Sequence, residues 1–123
     1  MVVADVRTRV DEYLLAGSIA DPPGNAVTAG AGNGGLVGSA GLESTVLRVV
    51  NASGAAGTVT VKSGSSPLAP VSALGPLTVA VGNGQTVWVG PFESGRFEQP
   101  DSSLWFESSV ALTVTAFRMP RHP

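Results

Sequence analysis

The sequence predicts an all-β fold: an antiparallel β-sandwich or barrel-like domain with an extended, Gly/Pro-rich N-terminal arm. Three observations point to it. From residue 43 onward apolar and polar residues alternate in short runs, the period of two that sends alternate side chains to opposite faces of a strand. Turn-forming residues interrupt these runs about every ten positions, as they do in sandwiches and barrels. The chain is also 43% hydrophobic and only 13% charged, with 16 glycines and 9 prolines among 123 residues, a composition that excludes charge-driven disorder.

Residues 1–16 place Val3, Val6, Val10 and Tyr13/Leu14 at spacings of three and four, one face of a short amphipathic helix. Three of these positions are valine, which loses rotamer freedom in a helix, so a strand or an extended arm competes. Gly17 to Gly41 has no periodicity. Asp21-Pro-Pro-Gly-Asn25 is turn chemistry, and Thr28-Ala-Gly-Ala-Gly-Asn-Gly-Gly35 has the composition of a linker. Its apolar residues Ile19, Val27, Leu36 and Val37 favour a segment ordered on a partner over a solvated tether. The expected division is an arm over 1–42 and a β domain over 43–123.

Within the domain, Thr45–Asn51 and Thr58–Lys62 are strands around a Ser/Gly/Ala turn. A Ser/Pro loop over 63–76 contains a possible short strand, Ala69–Leu74. Leu77–Val81 and Gln85–Val89 flank Gly82-Asn83-Gly84, and Asn-Gly between alternating apolar runs signals a hairpin. Gly90-Pro91 stops that run. Gly95–Glu98, Leu104–Glu107 and Val110–Phe117 complete the strand series. The expected core is Leu47, Val49, Val59, Val61, Leu77, Val79, Val81, Val87, Val89, Val110, Leu112 and Val114. With so small a β domain and no cysteine, oligomerisation is the natural stabiliser.

Chemistry is sparse. The absence of cysteine excludes disulfides, thiolate metal sites and cysteine nucleophiles. No apolar run approaches the roughly 20 residues of a membrane span, and the opening residues lack a signal peptide's layout. A net charge of -2 with scattered basic residues argues against nucleic acid, whose binders neutralise phosphates with Lys and Arg. Gly30-x-Gly32-x-x-Gly35 matches a dinucleotide fingerprint in letters, but Gly38 and Gly41 break the helix it would need. His122, the one imidazole, sits next to the last residue and suits neither a triad nor a His-based metal site. Glu93, Glu98, Asp101 and Glu107 form the one carboxylate cluster. A hydrolase on Glu98 and Glu107 would need two positioned, tuned groups, and solvation at strand ends is the simpler use. Neither a catalytic residue nor a cofactor or metal is expected. Asn51-Ala-Ser53 spells a glycosylation sequon, relevant only to a secreted eukaryotic protein.

Trp88, Phe92, Phe97, Trp105 and Phe106 gather most of the aromatics into 20 residues, suited to a core or subunit interface or to stacking on sugars. If Val87 and Val89 are core, Trp88 faces outward and needs a cover.

The C-terminal half resembles small β-domain virion proteins of tailed bacteriophages. The resemblance rests on the Leu77–Val89 run and on Val89-Gly-Pro-Phe-Glu-Ser-Gly-Arg-Phe97. It extends to Asp101-Ser-Ser-Leu-Trp-Phe106 and the closing Val-Thr-Ala-Phe-Arg-Met-Pro120. It spans about a third of the chain, and Ser102 stands where such chains often carry glycine. The resemblance implies a non-enzymatic capsid decoration or head-stabilisation protein on the outer surface of the virion. It implies a homotrimer whose arm docks on neighbouring subunits of the major capsid protein. The expected partner interface is Val3, Val6, Val10, Leu14, Ile19, Val27, Leu36 and Val37 of the arm with Trp88, Phe92, Phe97 and Trp105 of the domain. The alternative is a glycan-binding β-sandwich module of a head fibre or tail.

Overall fold

The computed structural model describes residues 7–10, 12–15, 18–30, 33–38, 42–64, 75–92, 94–97, 99 and 103–118. Ten strands fill these residues: β1 (Thr8–Arg9), β2 (Glu12–Leu14), β3 (Asn25–Val27), β4 (Gly35–Val37), β5 (Thr45–Val50), β6 (Gly57–Val61), β7 (Leu77–Val81), β8 (Thr86–Val89), β9 (Leu104–Ser108) and β10 (Leu112–Arg118). They form two facing sheets, one in the order β1-β4-β9-β6-β7 and the other β2-β10-β5-β8, with β3 also on β10. The all-β sandwich expected from the alternating runs is therefore the fold.

The chain builds it by crossing between layers at seven of the nine steps from one strand to the next. β3 and β4, β5 and β6, β7 and β8, and β9 and β10 each place one strand in each sheet. The registers put these four crossings at one end: Thr113 lies opposite Val50, Val59 opposite Ser108, Gly57 opposite Val81, and Leu112 opposite Val27. Alternation explains why this works. Leu47, Val49, Val59, Val61, Val81, Val89, Leu112 and Val114 are all buried between the layers, so each arch closes two apolar faces on each other. Leu104 and Phe106 of β9 fill the remaining volume.

This arrangement corrects the expected hairpin over Leu77–Val89. The Asn83-Gly84 turn forms, closed by the Gln85 N–H on the Gly82 carbonyl at 3.0 Å, with Gly84 at φ 77°. Its flanking strands do not pair with each other. β7 pairs with β6, and β8 pairs with β5. The cause is Asn51, fully buried at the end of β5. Its main chain takes the Gly84 N–H at 2.8 Å and gives its own N–H to the Gln85 carbonyl at 3.0 Å, drawing β8 into the sheet of β5. Its side chain donates to the Val81 carbonyl at 3.0 Å and the Ala55 carbonyl at 2.8 Å. Its Oδ1 accepts from the Ser53 N–H and Oγ. The sequon-like Asn51-Ala-Ser53 is thus a buried structural knot.

The opposite end is closed by a single turn of helix, α1 (Ser94–Phe97), where sequence alternation suggested a strand beginning at Gly95. Phe92 and Phe97 meet edge to face at 5.8 Å and are both buried. Arg96 lies over the Phe97 ring at 4.7 Å and donates to the carbonyls of Gly75 and Pro76. Gln99 ties this corner to Ser63. The Ala69–Leu74 strand lies outside the described residues.

The described part of the arm lies on the sandwich. Where a helix competed with extended structure, Thr8–Arg9 and Glu12–Leu14 are strands, each parallel to its neighbour, β4 and β10 respectively. Val10, Val27 and Val37 enter the core, and valine favours this extended backbone. The linker-like glycines are there for close approach: Gly34 has φ 96°, a Cβ there would strike the Phe106 carbonyl oxygen, and one on Gly35 would strike the Phe106 ring. Of the segment that spells a dinucleotide fingerprint, Gly30 follows β3 and Gly35 opens β4.

Replacing Asn51 with Ala strands the Val81 carbonyl in a dry environment and removes the tie between two arches. A loss of about 2–4 kcal/mol in folding free energy is expected, measured by urea denaturation. Asn83→Ala, at an exposed position, serves as the control and is expected to lose under about 1 kcal/mol.

Candidate functional site

The two outer faces of the sandwich differ in chemistry. On the sheet of β6 and β9, the outward positions carry Thr58, Thr60, Thr78 and Glu107, with Thr60 and Thr78 hydroxyls 3.4 Å apart. Glu107 pairs with Arg7 at 3.0 Å and with Lys62 at 3.6 Å. The Arg7 guanidinium also lies 4.6 Å above the Trp105 ring, a cation–π contact that shields the indole. This carboxylate is consumed in ion pairing. Its proposed hydrolytic companion Glu98 lies outside the described residues, as do Glu93, Asp101 and His122. Among the described residues no group of three metal-ligating side chains converges.

The other face is apolar and aromatic. Val46, Arg48 and Val50 of β5 stand opposite Phe117, Thr115 and Thr113 of β10. Phe117 points away from the core yet is buried. It is covered by Trp88 on one side, ring centroids 5.6 Å apart, and by Tyr13 on the other, at 6.3 Å. Residues 21–24 strap this face: Arg48 binds the Asp21 carboxylate and donates to the Pro22 carbonyl at 2.9 Å. Gly24 passes so close that a Cβ would meet the Thr115 and Thr113 side chains. The most exposed large apolar residues described are divided: Trp88 stands on this face, Leu14 alternates with Tyr13 and so points to the other side of its sheet, and Ile19 precedes the strap. Trp88 on β8 is 58% exposed, Leu14 on β2 55%, and Ile19 in the approach to the strap 37%.

The expected interface residues thus separate. Trp88 is exposed on this face, Leu14 and Ile19 are exposed elsewhere along the arm, and Trp105 and Leu36 are half-buried neighbours in the opposite sheet. Trp88 and Trp105 therefore cannot form one stacking platform. Val10, Val27, Val37, Phe92 and Phe97 are buried in the chain's own core, which corrects their assignment to a partner surface: each is held by its own fold. Val3 and Val6 lie outside the described residues. Sequence reasoning missed Tyr13, Arg48 and Phe117. Strand parity alone placed Phe117 outward, and an outward Phe opposite Val46 was the available signal.

What this face offers chemically is apolar and aromatic area beside one Arg–Asp pair: a surface for docking or ring stacking. No protein-family model matches the chain, and neither does any curated protein or solved structure.

The two indoles provide a direct check. In Trp105→Phe the remaining Trp88 is expected to be quenched strongly by iodide, and in Trp88→Phe the remaining Trp105 only weakly. Stern–Volmer slopes measure the contrast. Trp88→Ala is expected to lower folding stability by about 1–2 kcal/mol, because it uncovers one side of the buried Phe117 ring; urea denaturation measures it.

Proposed function

We propose that this chain is a structural virion protein that decorates and stabilises the outer surface of a tailed-phage head. The single observation that carries the reading is the exposed Trp88 indole set against Phe117 on the aromatic outer face of a weakly charged β-sandwich, joined with the family resemblance of the C-terminal half. Isolated surface hydrophobics are ordinary, but the apolar and aromatic residues gathered on this face, Trp88, Phe117, Tyr13 and Val46, mark an interaction surface. On this reading the outer face of the β5/β10 sheet, together with the strand β2 and the strap contributed by the arm, contacts the major capsid protein. The role is mechanical: additional buried area across capsid subunit boundaries holds the shell closed. The net charge of -2 suits the outer surface, which does not meet the packaged genome. The homotrimer on local threefold positions follows from the resemblance alone.

The test is co-sedimentation with empty heads assembled from the major capsid protein of the encoding phage. The wild-type chain is expected to pellet with the heads to saturation, and Trp88→Glu to bind at least about tenfold more weakly while still unfolding cooperatively above the assay temperature. Wild-type protein that stays in the supernatant at all concentrations overturns the proposal.

A second reading is favoured by Trp88 alone. An exposed indole flanked by Phe117, with the Asp21 carboxylate on the same face, has the parts of a pyranose-stacking site. Binding on a glycan array that disappears in Trp88→Ala supports this reading.

A further inference from the structure

The two flanks of the sandwich are finished differently. On one, the edges of β9 and β10 are covered by the arm: β4 lies on β9, and β2 and β3 together cover one edge of β10. The arm strands are two or three residues long and accompanied by Arg7, Arg9 and Glu12, the short, charged edges that discourage further pairing. The other flank is made of β7 in one layer and β8 in the other, and among the described residues neither has a strand on its outer side.

The hydrogen-bond phase shows what this flank presents. The Asn51 N–H bonds Gln85, so Val87 and Val89 also turn their backbone groups toward β5, leaving those of Thr86 and Trp88 outward. On β6, Thr58 and Lys62 bond toward β9, so Val59 and Val61 bond toward β7. The matching β7 residues turn inward, and Thr78 and Ala80 offer their N–H and carbonyl groups outward. Between the two edges the described core residues are less fully covered than on the arm flank. Leu77, Val79 and Val87 point inward but are only partly buried, whereas Val10, Val27 and Val37 on the arm flank are buried. From Leu77 to Phe92 the sequence contains no charged residue, no strand proline and no lysine gatekeeper.

We propose that this flank is a self-association surface and that its occupant is a second copy of the chain, joined about a twofold axis normal to the sheets. Such an axis reverses every direction lying in a sheet. It therefore sets β8 antiparallel to the partner's β8 and β7 antiparallel to the partner's β7 in one operation, extending both layers and covering the seam between them. Charge complementarity favours this occupant: an uncharged flank meets its own copy with nothing to repel and no charge to desolvate. The area sets the strength. A flank about 17 Å long across two layers about 10 Å apart covers on the order of 300–400 Å² per copy, below the roughly 800 Å² of a standard stable interface. The pair therefore forms and dissociates with concentration. This inference stands independently of the capsid reading, and its twofold differs from the threefold that the resemblance implies.

Sedimentation velocity over a dilution series of the full chain is the test. A one-copy to two-copy equilibrium is expected. Thr86→Pro, which removes an outward N–H without touching the β5 ladder, is expected to weaken it at least about tenfold with an unchanged melting curve in dilute solution. Ala80→Pro does the same from the other layer. Because the chain has no cysteine, Thr86→Cys gives a check that spares the edge backbone: it is expected to oxidise to a covalent dimer far faster than Thr60→Cys, on the middle of a face. A single-copy mass at every concentration overturns the proposal. So does a three-copy assembly, association untouched by both folded proline variants, or equal cross-linking at the two cysteines.

Discussion

Everything in this fold depends on a buried amide. Asn51 has no exposed surface, and its polar groups engage Ala55, Val81, Gly84, Gln85 and Ser53 at once. A buried polar network of this kind is stabilising only when every member is satisfied. Here satisfaction requires that the β5–β6 and β7–β8 crossings sit side by side. Once they do, the strands following each turn must lie in opposite layers. The β9–β10 crossing is fastened beside them by the Ser109 N–H on Thr58, and that of β3–β4 by the Gly30 N–H on Ser108. Few strand neighbours are therefore neighbours in sequence: β4 pairs with β9, β5 with β10, and β1 with β4. Such non-local pairing folds slowly relative to hairpin-built sheets.

The period of two made the strands of the domain legible, and with them the sandwich, because Val59, Val61, Leu112 and Val114 had to share one side of their strands. Pairing was not legible. Asn83-Gly84 is a correct turn signal, but a turn fixes only local chain reversal, and the choice between hairpin and arch was made by Asn51, thirty-two residues upstream. The one-turn helix at Ser94–Phe97 replaces a strand because Phe92 and Phe97 must both reach the core from one side of a corner. The arm was legible as irregular and apolar, but its reason was hidden. Glycines 34 and 35 look like a linker in sequence and serve close packing against Phe106. Of the candidate surface, Trp88 could be placed from the parity of β8 alone, whereas the strap that lays Asp21 on Arg48 joins residues too distant for any local pattern.

Composition acquires a spatial meaning in this architecture. A chain with few charges has to distribute them, and this one uses Arg7, Glu12 and Asp21 to fasten the arm through Glu107, Arg118 and Arg48. The arm flank and the β6/β9 face are thereby made polar, the Trp88 face keeps one Arg–Asp pair beside its aromatic rings, and the β7/β8 flank carries no charge. A protein so divided fits an existence among other chains, which is the common element of the capsid reading and of the twofold flank.

The central claim is that the arm completes the sandwich along one flank while the other stays open. Residue-resolved amide exchange in dilute solution tests it most directly. The N–H groups of Thr8, Val10 and Leu15, bonded to Gly34, Leu36 and Arg118, are expected to be protected well above random-coil rates, while those of Thr78, Ala80, Thr86 and Trp88 exchange close to them. Arm amides exchanging at random-coil rates while β5 and β10 remain protected would contradict the account.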